Sequence, residues 1–333
     1  NSTTVTFKAV TGTADAATFN LQNVVGGSEL NITGIENLTL NGNGAAAQQI
    51  GFHANTAPNS LTIAGTSAIT FDDANTTSET IDASGHSGAI IMTSNNANAV
   101  TYTGSSSIDT LTMTGGAATV DTINLGAGND RVNFTANLAV TDTVSGGDGT
   151  DILSGGDNEI RQVVGVARTT NLNISGFETV NVDDALAGAL TLANIQATGI
   201  NKVSLNGAAN GSLVMAAGDM TVTIADTLGG NLTVTDTGTA ITDTLTISSA
   251  SLDSEDLWNT DALITNGYET VNLSTTVAGV AASQDLGVIT MSADTGGTAT
   301  LNVTGTNAIT AGIITADVMA FVPVTLSVAV PPV

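Results

Sequence analysis

Two glycine-rich segments carry the residues whose types and spacing could do chemistry. They are LGAGNDRVN (residues 125–133) and GGDGTDILS (residues 146–154), and they align residue for residue. Glycine permits positive φ and close backbone approach, so carbonyl oxygens can turn inward while an aspartate points its carboxylate at the same place. A hard cation such as Ca²⁺ takes about six to eight oxygen ligands. We therefore expect calcium to bind between the two segments.

The predicted ligands fall into two groups. The main group consists of Asp130 and Asp151 with the glycines of their loops, which are Gly126, Gly128, Gly147 and Gly149. A weaker group consists of Asp109, Asp121, Asp142, Asp148 and Asp157. This second group is weaker because aspartate is favoured in turns whether or not a metal is present. Asp157 belongs to a third, degenerate copy that begins at Gly155-Gly156.

The spacing of these aspartates indicates how the loops are stacked. Five aspartates follow one another at alternating steps of 12 and 9 residues, so every second aspartate marks one coil of a repeat of 21 residues. They are Asp109, Asp121, Asp130, Asp142 and Asp151. Two strands and two turns in a repeat of this length are typical of a parallel β-roll or β-helix. In such a coil Asp130 lies above Asp151, and Asp121 lies above Asp142.

Short alternating triplets extend the β pattern along the chain. Leu38-Thr39-Leu40, Val132-Asn133-Phe134 and Val222-Thr223-Ile224 are three of many, and their period of two predicts strands with one buried face. Residues 251–266 are the best helical candidate. The predicted fold is all-β and elongated, a parallel β-roll or β-helix with calcium-binding loops at 101–165, flanked by β-rich modules at 1–100 and 166–333. A hairpin sandwich shows turns at a similar spacing, but the internal repeat favours the coil.

Composition excludes several functions. The 333 residues include 30 acidic and 5 basic side chains, a net charge of −25, and no cysteine. So few cations cannot neutralise the phosphates of nucleic acid or attract anionic lipid. Without cysteine there is no disulfide, thiolate zinc site or cysteine nucleophile. No apolar window is long enough for a membrane-spanning helix, so membrane insertion is not expected. The few cations likewise exclude nucleic acid as a partner.

Catalysis is not expected either. His53 and His86 are far apart and belong to no HExxH motif, so a catalytic zinc site is excluded and both are expected at the surface. There is no GxSxG nucleophile motif. A polysaccharide lyase or epimerase on a β-helix stays the least favoured alternative, because such an enzyme needs basic residues around its anionic sugar.

Other acidic residues could have either a structural role or a role in binding calcium. Glu36, Glu178 and Glu269 recur in a Gly-(Ile/Phe/Tyr)-Glu motif directly before a strand, where they could set a turn and the strand register or bind calcium. The adjacent pairs Asp72-Asp73 and Asp183-Asp184 repel one another unless they are solvated or bridged by a cation.

The glycine-rich segments also carry a family resemblance. GGDGTDILS matches the calcium-binding RTX nonapeptide GGxGxDxUx at every defined position, and LGAGNDRVN lacks only the first glycine. The chain resembles RTX-type surface-layer proteins of Gram-negative bacteria, of the Caulobacter type. Five further segments carry the resemblance: GIENLTL (34–40), GFETVNV (176–182), GYETVNL (267–273), ETIDASGHSGAI (79–90) and VTYTGSSSIDTLTM (100–113). It implies type I secretion, calcium-dependent folding and assembly into a two-dimensional lattice.

The expected function follows from the loops and the resemblance together. We expect an extracellular, calcium-stabilised structural protein, not an enzyme, whose partners are copies of itself in a cell-surface layer. Attachment to cell-surface polysaccharide or lipopolysaccharide would use a region outside this chain. The main alternative is an RTX adhesin, or a biofilm-matrix or filament module, that binds glycan or a surface. Since a charge of −25 opposes packing of copies, assembly should require calcium.

Overall fold

A computed structural model describes most of the chain. The described residues are 2–4, 10–53, 56–71, 78–115, 119–135, 138–139, 141–164, 173–192, 199–216, 218–225, 228–251, 261–277, 284–305, 309–311, 313–317 and 325–329. The chain divides into two compact units. The first unit consists of Asn1–Ser154 and Thr169–Glu178, and the second of Gly155–Arg168 and Thr179–Val333.

Two sheets and one small strand pair build the first unit. One sheet contains, in spatial order, β1 (Ser2–Thr4), β3 (Glu29–Asn31), β5 (Gln48–Phe52), β7 (Ile69–Phe71), β9 (Ile90–Ser94), β11 (Asp109–Met113), β14 (Arg131–Phe134) and β17 (Ile152–Gly155). The other contains β18 (Asn173–Ser175), β15 (Thr143–Ser145), β12 (Thr122–Asn124), β10 (Thr101–Thr103), β8 (Thr80–Asp82), β6 (Ser60–Gly65), β4 (Asn37–Gly42) and β2 (Ala16–Leu21). The small pair is β13 (Ala127–Gly128) with β16 (Asp148–Gly149).

Strands that follow one another along the chain alternate between the two sheets, so the chain winds as a solenoid. Its coils pair in parallel with the predicted period: Thr101 pairs with Thr122, and Thr122 pairs with Thr143. In the other sheet Thr110 pairs with Arg131, which is the same spacing. The prediction of an all-β parallel β-roll or β-helix is therefore confirmed, and so is the repeat inferred from the aspartates.

The second unit winds in the same way with less regular coils. One sheet contains β19 (Thr179–Val182), β21 (Lys202–Leu205), β23 (Met220–Ile224), β25 (Thr244–Ser251), β27 (Thr270–Val277), β30 (Thr300–Gly305) and β33 (Thr325–Ala329). Another contains β20 (Ala189–Thr191), β22 (Gly211–Met215), β24 (Leu232–Asp236), β26 (Ala262–Asn266), β29 (Val288–Ser292) and β32 (Ile314–Asp317). The remaining elements are the pair β28 (Gln284–Leu286) and β31 (Ile309–Ala311), and helix α1 (Asp157–Val164).

Aliphatic side chains fill the interior at every second strand position. In β11, Leu111 and Met113 are buried, and Val132 and Phe134 occupy the paired positions of β14 in the next coil. Successive side chains of a strand point to opposite faces, so the intervening threonines and asparagines face outward. Each fully buried aliphatic side chain contributes about 1.5–3 kcal/mol to folding. The alternating triplets thus form the core, as predicted.

The prediction of a helix at residues 251–266 is wrong at both ends of the segment, which are strands. Ser251 ends strand β25, and residues 262–266 form β26, while residues 252–260 lie outside the described part of the chain. Strand β26 pairs with β24 on one side and β29 on the other, and its Leu263 is fully buried. Pairing on both sides therefore places residues 262–266 in a sheet and not in a helix. Among the described residues, no helix is long and apolar enough to cross a membrane.

Candidate metal centre

The two glycine-rich segments form stacked loops in adjacent coils of the first unit. Ala127 and Gly128 of β13 pair in parallel with Asp148 and Gly149 of β16. The backbone N–H of Asp148 also donates to the carbonyl oxygen of Gly126 at 3.0 Å. The loops are therefore in register one coil apart, which confirms the predicted stacking.

The glycines of these loops hold conformations that other residues rarely adopt. Gly126 and Gly147 have φ of +99° and +102°, and Gly128 and Gly149 have φ of +153° and +149°. A Cβ at Gly147 would overlap the carbonyl oxygen of Gly126, and one at Gly149 would overlap that of Gly128. Carbonyl oxygens of one loop thus lie directly against the next loop, where only glycine leaves room for them.

Four acidic residues form a column along the edge that carries these loops. We call Asp109, Asp130, Asp151 and Glu178 the carboxylate column. The N–H of Asp109 donates to Oδ1 of Asp130, and the N–H of Asp130 donates to Oδ1 of Asp151, both at 2.7 Å. Oε2 of Glu178 accepts from the N–H of Asp151 at 2.7 Å. The carboxylates of Asp130, Asp151 and Glu178 therefore each fix the backbone of the preceding coil.

The two aspartates of the glycine loops each keep one oxygen without a partner. Oδ2 of Asp130 and Oδ2 of Asp151 are buried and accept no hydrogen bond. Burial raises the pKa of Asp130 to about 7 and also raises the pKa of Asp151, although a backbone N–H bond to each opposes this. By contrast, Asp109 accepts from both the N–H and the hydroxyl of Ser105. A buried carboxylate oxygen without a donor or a counterion is costly.

A hard cation fits this donor set. Among the described residues, no three acidic or histidine side chains lie together so that they alone could hold a metal ion. The glycine loops instead offer the unpartnered carboxylate oxygens of Asp130 and Asp151 together with backbone carbonyl oxygens, of which that of Gly126 already accepts from the N–H of Asp148. All of these donors are oxygens, which is the ligand type that calcium prefers.

Asp121 and Asp142 form a second stack of carboxylates in the first unit. Oδ1 of Asp121 accepts from the N–H of Val100 at 2.8 Å, and Oδ1 of Asp142 accepts from the N–H of Asp121 at 2.9 Å. Oδ2 of Asp142 accepts from the N–H of Ala139. Burial, reinforced by the charge of Asp142, raises the pKa of Asp121 to about 6. The predicted stacking is confirmed, and these hydrogen bonds brace backbone without reaching the glycine loops.

The remaining predicted ligands lie in different surroundings. Asp148 is exposed on the second glycine loop. Asp157 begins helix α1, where its carboxylate pairs with Arg161 and its N–H donates to Oδ1 of Asp184. The expected third copy of the loop is therefore a helix, because the acids of its first turn suit the helix N-terminus and Ile160 is buried.

The glutamates of the Gly-(Ile/Phe/Tyr)-Glu motif could either set strand register or bind calcium, and in the structure they hydrogen-bond to backbone. Each glutamate accepts the N–H of an aspartate in the preceding coil, at 2.7–3.0 Å. The pairs are Glu36 with Asp15, Glu178 with Asp151, and Glu269 with Asp243. The N–H of each glutamate donates back to the carbonyl oxygen of the same aspartate. The motif therefore sets strand register, and an aspartate about one coil upstream was the signal that could have identified its partner.

The adjacent aspartate pairs and His86 were the other residues that the sequence singled out. Asp183 and Asp184 are exposed, and their carboxylates accept from Asn206 and Asp157. The pair at 72–73 lies outside the described residues. His86 was expected at the surface but is 1% exposed, and neither ring nitrogen has a hydrogen-bond partner. The expectation was wrong because His86 lies in the coil that stacks directly against the loop at Ser106, whose N–H donates to its carbonyl oxygen.

Comparison with known proteins identifies no relative. No family model matches the chain, no curated protein matches it, and no solved structure matches its fold.

Proposed function

We propose that this protein is a secreted, calcium-stabilised structural protein that assembles with copies of itself into a cell-surface layer. The observation that carries the proposal is the pair of buried, unpartnered oxygens, Oδ2 of Asp130 and Oδ2 of Asp151, in stacked glycine loops. The resemblance of these loops to RTX repeats supports the same conclusion. The proposed activity is structural and not enzymatic.

The carboxylates of Asp130 and Asp151 would hold the calcium, with backbone carbonyls of the two loops. When bound, the ion supplies positive charge that cancels the repulsion between stacked carboxylates. With extracellular-type affinity of about 0.1–1 mM, millimolar calcium adds about 1–2 kcal/mol per site. Because the chain has no cysteine, calcium would take the stabilising role that disulfides have in other extracellular proteins.

Assembly into a layer follows from the same electrostatics. Copies that each carry a charge of −25 repel one another, and bound divalent ions lower that repulsion. Strand β2 lies at the edge of the first unit's sheet that runs from β18 to β2. Its residues alternate between exposed and partly exposed as far as the buried Leu21. Exposed edges favour pairing with another chain. The proposed partners are copies of this chain, outside the cell.

The test follows folding and assembly in one calcium titration. The protein is stripped with a chelator, and calcium is returned stepwise while far-ultraviolet circular dichroism and light scattering are recorded together. We expect β signal to return first, then a rise in scattering with sheets visible by negative stain. Asp151→Asn should weaken the response of both signals to calcium, whereas Asp82→Asn, at an exposed carboxylate of the same unit, should leave both responses unchanged.

Two outcomes would overturn parts of the proposal. Recovery of β signal without scattering at any calcium concentration would contradict the layer and favour an adhesin that acts without self-assembly. No response of either signal to calcium would contradict the metal site itself, and the glycine loops would then be turns alone.

A further inference from the structure

A second group of buried carboxylates lies in the second unit, away from any RTX-like sequence. Asp236 ends strand β24 and Asp243 precedes β25, and their relative exposures are 5% and 6%. The residues between them, Thr237 to Thr242, form a loop that is exposed except at Gly238. Two buried acids thus bracket a loop that is open to solvent.

No basic side chain among the described residues forms an ion pair with either carboxyl group. Burial raises the pKa of Asp236 to about 6, together with a side-chain hydrogen bond to Asp243 and the charge of Asp243. Two ionised carboxylates have no proton to share. Of the basic residues in the described part of the second unit, Arg161 pairs with Asp157 and Lys202 is exposed. A shared proton or a bound cation would relieve the repulsion between Asp236 and Asp243.

The surrounding hydrogen bonds fix the carboxylate of Asp236 and the backbone of Asp243. Asp236 accepts from the N–H of Gly238 through Oδ1 and from the N–H of Gly218 through Oδ2. The N–H of Asp243 donates to Oε2 of Glu269 at 3.0 Å. These bonds leave Oδ2 of Asp243 buried without any partner. One carboxylate oxygen of the pair is therefore buried and unused.

A tyrosine supplies an independent sign of a missing ligand. Tyr268 is fully buried, and its hydroxyl has no hydrogen-bond partner. Tyr268 follows Gly267, which packs against Asp236, and precedes Glu269, which is hydrogen-bonded to Asp243, so the tyrosine lies beside the carboxylate pair. Burial, followed by the charge of Asp236, raises the pKa of this hydroxyl. An unpartnered hydroxyl in a protein interior is unfavourable. A ligand between the carboxylates and the hydroxyl would satisfy all of these oxygens.

We propose that Asp236 and Asp243, with the hydroxyl of Tyr268 beside them, bind a calcium ion in the second unit. The donors are all oxygens, and carbonyl oxygens and water at the exposed 237–242 loop can complete the coordination of a hard cation. The same loop gives the ion an entry path from solvent. This site is independent of the glycine loops, so either site can fail without the other.

The test counts calcium ions and locates one of them. In calorimetric titrations of the chelator-stripped full chain, Asp243→Asn should bind one calcium ion fewer than Asp183→Asn. Asp183 is an exposed carboxylate of the same unit, so its variant is the matched control. Asp243→Asn should retain the ion that Asp151→Asn loses, which separates the two sites. Circular dichroism at saturating calcium checks that each variant is folded.

Terbium luminescence gives a second readout in case Asp243→Asn does not fold. Tb³⁺ replaces Ca²⁺ and emits when a nearby tyrosine transfers energy to it. The chain has two tyrosines, and the hydroxyl of Tyr102 lies 3.5 Å from Oδ2 of Asp109 in the first unit. We expect Tyr268→Phe and Tyr102→Phe to remove different parts of the emission. Unchanged emission in Tyr268→Phe, or equal calcium stoichiometry in Asp243→Asn and Asp183→Asn, would overturn the proposal and leave a carboxyl pair that shares only a proton.

Discussion

The backbone N–H of Asp130 donates to Oδ1 of Asp151, which lies one coil further along the chain, at 2.7 Å. The bond explains why both aspartates are buried, because each carboxylate braces the backbone of the preceding coil. It also leaves Oδ2 of each without a partner. The carboxylate column therefore stabilises the coil through one oxygen of each loop aspartate and destabilises it through the other, unless a cation is present.

Asp151→Asn should change stability in opposite directions with and without calcium. The amide keeps an oxygen for the N–H of Asp130, removes the buried charge, and gains an NH₂ that can donate to loop carbonyls. We expect the calcium-free variant to be more stable than the wild type by about 1 kcal/mol, and calcium to stabilise it less. Thermal melting with chelator and with millimolar calcium measures both effects. Asp82→Asn is the control, and if its two shifts equal those of Asp151→Asn, the metal site is misplaced.

Without calcium, stability should rise as the pH falls. Burial raises the pKa of Asp130 to about 7 and that of Asp121 to about 6, both above the ordinary value of 3.8. The folded state therefore takes up protons that the unfolded state does not, and stability is lost as pH rises through these values. In chelator, the melting temperature should rise as the pH is lowered from about 8 to about 5.

Calcium should reverse this pH dependence, because the ion binds ionised carboxylates and competes with protons. Melting at saturating calcium should then move to lower temperature as the pH falls over the same range. Parallel pH profiles with and without calcium would contradict the assignment of Asp130 and Asp151 as ligands.

Gly147→Ala should destabilise the protein much more than Gly27→Ala. Both glycines have positive φ, +102° and +74°, so both substitutions carry the same kind of backbone strain, of about 1 kcal/mol. Only at Gly147 would the new Cβ also overlap a carbonyl oxygen, that of Gly126, whereas the space at Gly27 is open. Urea unfolding should give a difference of at least about 2 kcal/mol. Similar losses at the two positions would show that the loops are not closely stacked.

Glu178 should act through its hydrogen bond and not through its charge. Glu178→Gln keeps an acceptor for the N–H of Asp151, so it should cost little, whereas Glu178→Ala leaves that N–H unpaired and should cost about 1–3 kcal/mol. Glu79→Ala, at an exposed glutamate of the same unit, should cost less than about 0.5 kcal/mol. Urea unfolding compares the three variants, and equal losses in Glu178→Gln and Glu178→Ala would instead assign Glu178 an electrostatic role.

The sequence predicted those parts of the fold that repeat at short range. The spacing of Asp121 and Asp142 correctly placed one above the other, and the triplets of β11 and β14 pair as expected. Each of these predictions needs only a constant coil length and a period of two. Where the coil length holds, residue numbers translate directly into spatial neighbours.

Parts that depend on long and unequal coils were not predictable in this way. Thr270 pairs with Thr300, whereas Lys202 pairs with Thr221 across a much shorter stretch of chain, so no single period reveals the stacking of the second unit. The contact between Asp236 and Asp243 and the burial of Tyr268 both depend on that stacking. In the first unit, Glu178 and its partner Asp151 are separated by 27 residues and not by the 21 of the regular coils, so the regular repeat did not point to this pair.

The most direct test of the account is the effect of calcium on wild-type stability, measured as the melting temperature in chelator, in millimolar magnesium and in millimolar calcium. The buried oxygens of Asp130 and Asp151 and the glycine loops around them favour calcium, since magnesium demands stricter geometry and keeps its water. We predict a clear rise in melting temperature with calcium and little change with magnesium. The same melting temperature in chelator and in calcium would contradict the central claim.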